Sequence, residues 1–140
     1  MTTAIDTNII IALWDKDAAL SGAAQAALET AFNRGNLVVA APVFAELMAA
    51  PGRSEGFVTS FLDDTGIAID WDLTQPVWRS AGRAFQAYAE RRRRQRTSGP
   101  RRILADFVIG AHAHTRGYRL LTLDEGVYRA AFSSLAIETI

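Results

Sequence analysis

The sequence predicts an α/β fold, a three-layer α/β/α sandwich with a mainly parallel central sheet. Three observations carry that expectation. Short apolar segments alternate along the chain with longer segments of helical period, the alternation that builds parallel sheets. The segment LVVAA at 37–41 is apolar throughout, as a strand covered on both faces should be. With 140 residues and 49% hydrophobic content the chain has the size and apolar share of one well-buried core, so a single domain over 1–140 is expected.

Taken in order, TTAI at the start is apolar and partly β-branched, and Asp6-Thr7-Asn8 after it signals a helix start before IIIALW. This reads as strand, then helix. Residues 18–34 place Leu20, Ala24, Ala27, Leu28, Ala31 and Phe32 near a 3.6-residue repeat, and Gly35-Asn36 closes that amphipathic helix. LVVAA is the second strand, and Pro42 suits the first turn of the helix that carries Glu46. After the break at Pro51-Gly52, a short helix over about 54–64 precedes a third strand, IAI at 67–69. A long helix runs from about Gln75 to Arg94 with Val77, Trp78, Ala81, Phe85 and Tyr88 on one side. TSGP at 97–100 reads as a turn, because the residue before proline avoids the α region. A helix from about Ala105 to Thr115 follows, ended by Arg116-Gly117. YRLLTL then gives a fourth strand, Asp124 starts a short helix, and LAIETI supplies the last strand.

The chain has no cysteine, which excludes disulfides and thiolate metal sites, and MTTAIDTN lacks the basic-then-apolar layout of a signal peptide. A cytoplasmic protein is expected, and no apolar run approaches the ~20 residues of a membrane span. Net charge is zero, which argues against nonspecific coating of nucleic acid, yet seven of the fifteen basic residues fall between 91 and 102, with no acid among them. Such a patch can engage phosphates whatever the average charge.

Four acids, Asp6, Glu46, Asp106 and Asp124, are each set in a mostly apolar stretch: AIDTNIIIAL, APVFAELMAA, RILADFVIGAHA and LLTLDEGVY. Desolvating an ionised carboxylate costs far more than a typical residue contributes, so four such positions call for a shared partner. Oxygen-only ligands suit a hard divalent cation, Mg²⁺ or Mn²⁺, better than zinc. A metal-dependent hydrolase is the reading that follows. Asp6, Asp106 and Asp124 each also stand near a helix start, where Asp is a favoured cap, and Glu46 could be a solvated helix position. Asp6 and Asp124 follow predicted strands, and open parallel sheets bind ligands outside the carboxyl ends of their strands, so both should face one crevice.

These segments together resemble the PIN-domain nucleases, and at this length the VapC-type toxins of toxin–antitoxin modules. The resemblance rests on Asp6-Thr7-Asn8 after an N-terminal strand, Pro42-Val43-Phe44-Ala45-Glu46-Leu47, Ala105-Asp106-Phe107-Val108-Ile109-Gly110-Ala111-His112-Ala113, and Leu121-Thr122-Leu123-Asp124 before a short helix. It covers the chain in order and spacing. It implies a four-carboxylate site for Mg²⁺ or Mn²⁺ at Asp6, Glu46, Asp106 and Asp124, with Thr7, Asn8 or Thr122 supporting it. At the fourth site Glu125 competes with Asp124. The implied activity is endoribonucleolytic, with an RNA substrate, a cognate antitoxin protein as partner and a homodimer as assembly. Trp14, Phe44 and Leu47 are candidates for the antitoxin groove, with core burial equally compatible. Alternatives are a catalytically weak PIN-like RNA-binding or assembly module, and a phosphatase-like hydrolase of small phosphate esters.

Three further features complete the reading. His112 and His114 lie six and eight positions after Asp106, toward the far end of its helix, so a surface or helix-terminal role is expected for them. Trp14, Trp71 and Trp78 are expected to pack in the core or at an interface. The arginines Arg91, Arg92, Arg93, Arg94 and Arg96 would point around the whole helix at about 100° per residue, so the run should project beyond the core or unwind. It is either a solvated helix end, favoured by the helix dipole, or an arm that grips RNA phosphates.

Overall fold

The computed structural model describes residues 1–96 and 101–140, so the turn expected at 97–100 lies outside the described residues. The elements are β1 (Thr2–Ile5), α1 (Thr7–Leu13), α2 (Ala18–Arg34), β2 (Asn36–Ala40), α3 (Ala41–Met48), α4 (Glu55–Asp64), β3 (Ile67–Asp70), α5 (Gln75–Gln95), α6 (Leu104–Arg116), β4 (Arg119–Leu121), α7 (Glu125–Ala131) and β5 (Ile137–Glu138). The strands form a five-stranded sheet in the order β3-β2-β1-β4-β5, and every pairing in it is parallel. The expected α/β/α sandwich is therefore present, with a sheet that is parallel throughout.

Topology fixes where the site lies. The chain steps from β1 to β2 to β3 in one direction, then crosses back to β4 and β5 on the other side of β1. Right-handed crossovers place α1 to α4 on one face of the sheet and α5 to α7 on the other, in keeping with the contacts within each group. The direction reverses between β1 and β4, where Ile5 pairs with Leu121, so the switch-point crevice opens directly above Asp6 and Thr122. Helices α3 and α6 also touch, which brings together the elements carrying Glu46 and Asp106.

Local chemistry sets the helix starts. Asp17 caps α2 by accepting from the Ala19 and Leu20 N–H groups, and Ser54 caps α4 by accepting from Phe57; each such cap contributes about 1 kcal/mol. Pro42 occupies the first turn of α3, where its missing N–H costs nothing. Gly117 closes α6 at φ 71°, a left-handed backbone that glycine adopts without a Cβ clash. The core is filled by Ile5, Ile9, Val39, Leu47, Phe107 and Leu120, among others.

Some expectations fail in instructive ways. Trp71 and Trp78, expected in the core or at an interface, lie outside the core: Trp78, grouped by periodicity with the apolar side of α5, is 48% exposed, and Trp71 is 60% exposed with its ring edge-on to Phe44. Phe32 is exposed too, although the repeat in α2 put it on the core face. Trp78 and Phe32 lie at the margin of an apolar helical stripe, where burial depends on what crosses above it, and Trp71 lies in the loop after β3. The arginine run, by contrast, projects beyond the core without unwinding: α5 continues through Gln95, Arg93, Arg94 and Arg96 are exposed, and of the run only Arg96 turns left-handed, at φ 50°.

At Gly110, α6 packs closely against the aromatic rings of α7 and its C-cap. A Cβ there would lie 2.4 Å from Phe132 Cε2 and 3.0 Å from Tyr128 Cδ1. Gly110→Ala is expected to force these aromatic rings out of place and to lower stability by about 1–3 kcal/mol. Urea unfolding checks it: a midpoint equal to wild type would show that the rings move aside freely.

Candidate active site

Asp6 leaves the end of β1 with extended backbone, φ −75° and ψ 152°, and caps α1. Its N–H bonds the Leu121 carbonyl at 2.9 Å, which ties it to the end of β4. The side chain is 5% exposed and fully engaged. Oδ1 accepts from the Thr7 N–H at 2.7 Å; Oδ2 accepts from the Thr122 hydroxyl at 2.7 Å and from the Tyr128 hydroxyl at 2.9 Å. Burial pushes its pKa up to about 6 despite these three donors, and the charge of Asp106 adds to the rise.

Thr122 is the hub beneath the site. Its hydroxyl donates to Asp6, accepts the Asp124 N–H at 3.0 Å, and receives the Asn8 amide at 3.4 Å. Asn8 in turn accepts the Leu123 N–H at 3.0 Å, locking the segment after β4 against the start of α1. Thr7 bridges two acids: its N–H serves Asp6 and its hydroxyl donates to Glu46 Oε1 at 2.6 Å.

Asp106 lies in the first turn of α6. Burial raises its pKa, with Asp124 adding to the rise while the Ile103 backbone hydrogen bond and the Arg102 charge oppose it. Asp124 occupies the N-cap position of α7, but its side chain makes no capping bond. It forms an ion pair with Arg102 instead, one guanidinium nitrogen in close contact with Oδ2 and the other 3.4 Å from Oδ1.

All four acids line one open cavity of about 380 Å³ at the switch point, with Thr7, Asn8 and a fifth acid, Asp15. Glu125 does not line it; its carboxylate turns outward to Arg129 at 2.9 Å. A larger cavity, about 480 Å³, lies elsewhere, between α2 and the β2–β3 side, and is mainly apolar. The donor set in the acid cavity suits a hard divalent cation in kind: it is dominated by carboxylates, and two of them, Asp6 and Asp106, are raised in pKa by burial and by a neighbouring acid, a condition that a cation relieves. Among the described residues no three acid or histidine side chains stand together as a group that could hold a metal ion; the four acids line an open cavity instead.

The expected surface or helix-terminal role for His112 is wrong. It sits inside α6 at 0% exposure, and its Nε2–H donates to Asp70 Oδ2 at 3.0 Å. Burial holds its pKa below the ordinary range, partly offset by Asp70. Burial alone would raise Asp70, but the His112 hydrogen bond and the Arg116 guanidinium at 3.3 Å bring it below the ordinary range. This is a bond between β3 and α6, away from the acid cavity. His114 is exposed. Leu47, a groove candidate, is wholly buried in the core, whereas Trp14 is half-buried against Phe57 and Phe61 with Arg53 stacked 4.8 Å above it. Tyr128 carries no signal in the sequence that would mark it as part of the site. Its pKa is raised by burial and then by the nearby acids, so it stays a proton donor to Asp6.

A doubly wound parallel sheet with a carboxylate-lined crevice at its switch point defines the class: an α/β protein with an acidic crevice. The PIN domain model matches residues 3–133, and the chain belongs to the PIN-domain family, whose members are generally nucleases. Among solved structures it is similar to VapBC2 from Rickettsia felis bound to a DNA fragment from their promoter, at 18% identity and a TM-score of 0.71, covering 99% of this chain and 98% of that one. It is likewise similar to VapBC-1 from nontypeable Haemophilus influenzae, at 16% identity and a TM-score of 0.68, covering 99% and 98%. A third is FitAcB from Neisseria gonorrhoeae, at 19% identity and a TM-score of 0.60, covering 96% and 95%. No curated protein matches the sequence significantly. Among the described residues no helix is long and apolar enough to cross a membrane.

Proposed function

We propose that this chain is a VapC-type toxin: a divalent-metal-dependent endoribonuclease, neutralised by a cognate antitoxin, acting in the cytoplasm and working as a homodimer. The observation that carries this reading is the convergence of Asp6, Glu46, Asp106 and Asp124, from four separate elements, on one cavity at the sheet's switch point. The solved neighbours named VapBC and FitAcB support the antitoxin part, since each shares this fold over nearly its whole length.

The four carboxylates would hold Mg²⁺ or Mn²⁺, which supplies the positive charge that polarises a phosphodiester and acidifies a nearby water. The chain's own residues set up that chemistry. Thr7, Thr122 and Tyr128 hold both oxygens of Asp6 in fixed directions, so its charge is presented without rearrangement. Thr7 holds Glu46. In this reading Asp106, half-buried beside Asp124 and raised in pKa, takes a proton from the attacking water. The arginine-rich end of α5 supplies charge for the RNA backbone.

One observation favours the second reading, a catalytically weak RNA-binding or assembly module: Arg102 already neutralises Asp124. Incubating the purified chain with RNA in Mn²⁺ and then in excess EDTA separates the two. Cleavage that appears with the metal and vanishes with EDTA is expected; binding without cleavage under both conditions would support the weaker module.

A further inference from the structure

Within the arginine run the structure makes a division that composition conceals. On α5, Phe85, Tyr88, Ala89, Arg92 and Arg93 fall at spacings of three and four, so they form one stripe, and together with Arg96 at the helix's C-cap they line a single cavity of about 390 Å³. Arg101 and Arg102, just ahead of α6, complete its rim. Arg91 and Arg94 are not among its lining residues, and none of those residues is acidic.

The cavity has a firm floor. The Phe85, Tyr88 and Phe107 rings pack together at centroid separations of 5.1–6.3 Å, and Phe107 is the neighbour of Asp106 on α6. The Tyr88 hydroxyl accepts the Arg102 N–H at 2.8 Å, pinning the rim to the floor. Arg102 belongs to both places: it lines this cavity, and its guanidinium bonds Asp124 in the acid cavity. With five donors on one planar group, it can hold a carboxylate and still offer N–H groups to an anion.

Resting on the reading of the acid cavity as a nuclease site, we propose that this arginine-rimmed cavity is the subsite for the nucleotide flanking the cleaved bond. The flanking phosphate lies among Arg92, Arg93, Arg96 and Arg101, and its base lies over the Tyr88–Phe85 floor. Two features favour RNA over the acidic side chains of a protein. The cavity is tied to the acid cavity by the Arg102–Asp124 ion pair, so a strand crossing the acids, which repel it, meets compensating charge at the next phosphate. An aromatic floor beneath a guanidinium rim also combines stacking with phosphate binding, the pairing that single strands require.

The test measures binding of a fluorescein-labelled single-stranded RNA of about 12 nucleotides by anisotropy in EDTA, across a salt series. Arg92→Gln/Arg93→Gln/Arg96→Gln is compared with Arg91→Gln/Arg94→Gln, after both are shown to melt like wild type. Should the triple variant melt early, Arg93→Gln/Arg96→Gln, whose side chains are exposed, replaces it. The stripe variant should lose about tenfold in affinity, and its log–log salt slope should become shallower by about 0.7 for each phosphate it no longer neutralises. The off-stripe variant should keep the wild-type slope. Equal losses in both variants, or no loss in the stripe variant, overturn the proposal, the second result leaving the cavity to a protein partner's carboxylates. Cleavage by the wild-type chain in Mn²⁺ is scored separately: its absence would sink the nuclease reading while a stripe-specific binding loss would still stand.

Discussion

Asp6→Asn is expected to reduce RNA cleavage by about three orders of magnitude or more, roughly 4 kcal/mol of transition-state stabilisation, while making the metal-free protein more stable above pH 6. The loss follows from removing a charge that is oriented by three hydrogen bonds at the centre of the acid cavity. The gain follows from burial. The folded pKa of Asp6 stands above its ordinary 3.8, at about 6, so the fold favours the protonated acid. Stability from this group is fully present below 3.8 and lost as pH rises through about 6. At about 1.4 kcal/mol per tenfold change in proton affinity, the ionised form costs about 3 kcal/mol at pH 8. Asparagine carries no such cost, and the hydroxyl protons of Thr122 and Tyr128 can turn to meet its amide. Unfolding both proteins in EDTA from pH 4 to pH 8 checks this, because the slopes that His112 and Asp70 add are common to the two and cancel. The wild type should fall relative to the variant across that range; parallel curves would show that Asp6 is not held raised. Asp106→Asn should match the loss of cleavage.

The second large effect separates two adjacent acids. Asp124→Asn is expected to cut cleavage at least a hundredfold, and Glu125→Gln to leave it within about twofold. Asp124 lines the acid cavity and Glu125 pairs outward with Arg129. Neither change should shift stability by more than about 1 kcal/mol, since both ion pairs are substantially exposed. Steady-state cleavage rates of the two variants decide it, and a reversed order would move the fourth acid to Glu125.

Residues whose role is set by their place at the end of a strand were legible in the sequence. Asp6 and Asp124 could be assigned to one crevice because a parallel sheet gathers the carboxyl ends of its strands, and Glu46 stood out as a charge in the middle of an apolar helix. Partners chosen by folding were not legible. Tyr128 meets Asp6 across 122 residues, and nothing in GVYRAA distinguishes its hydroxyl from that of any core tyrosine. His112 meets Asp70 across 42 residues, so a sequence pattern reads it only as a histidine near a helix end. Arg102 was visible as charge, but its pairing with Asp124 needed the start of α6 to be placed against α7. Trp78 shows the limit of periodicity, which gives a side of a helix without saying whether anything covers it.

The Thr122–Asp6 hydrogen bond joins residues 116 positions apart, and Tyr128 adds a second bond of similar reach. Contacts this distant in sequence form late, after β4 has docked beside β1. During translation at about 5–20 residues per second, Asp6 therefore waits on the order of ten seconds for the groups that complete its surroundings. In the nascent chain Asp6 cannot be organised until the segment carrying Thr122, Asp124 and Tyr128 has been made. If the acid cavity is the proposed nuclease site, cleavage can begin only once that segment has joined β1, and the interval before it does is the one in which the proposed antitoxin could capture the chain.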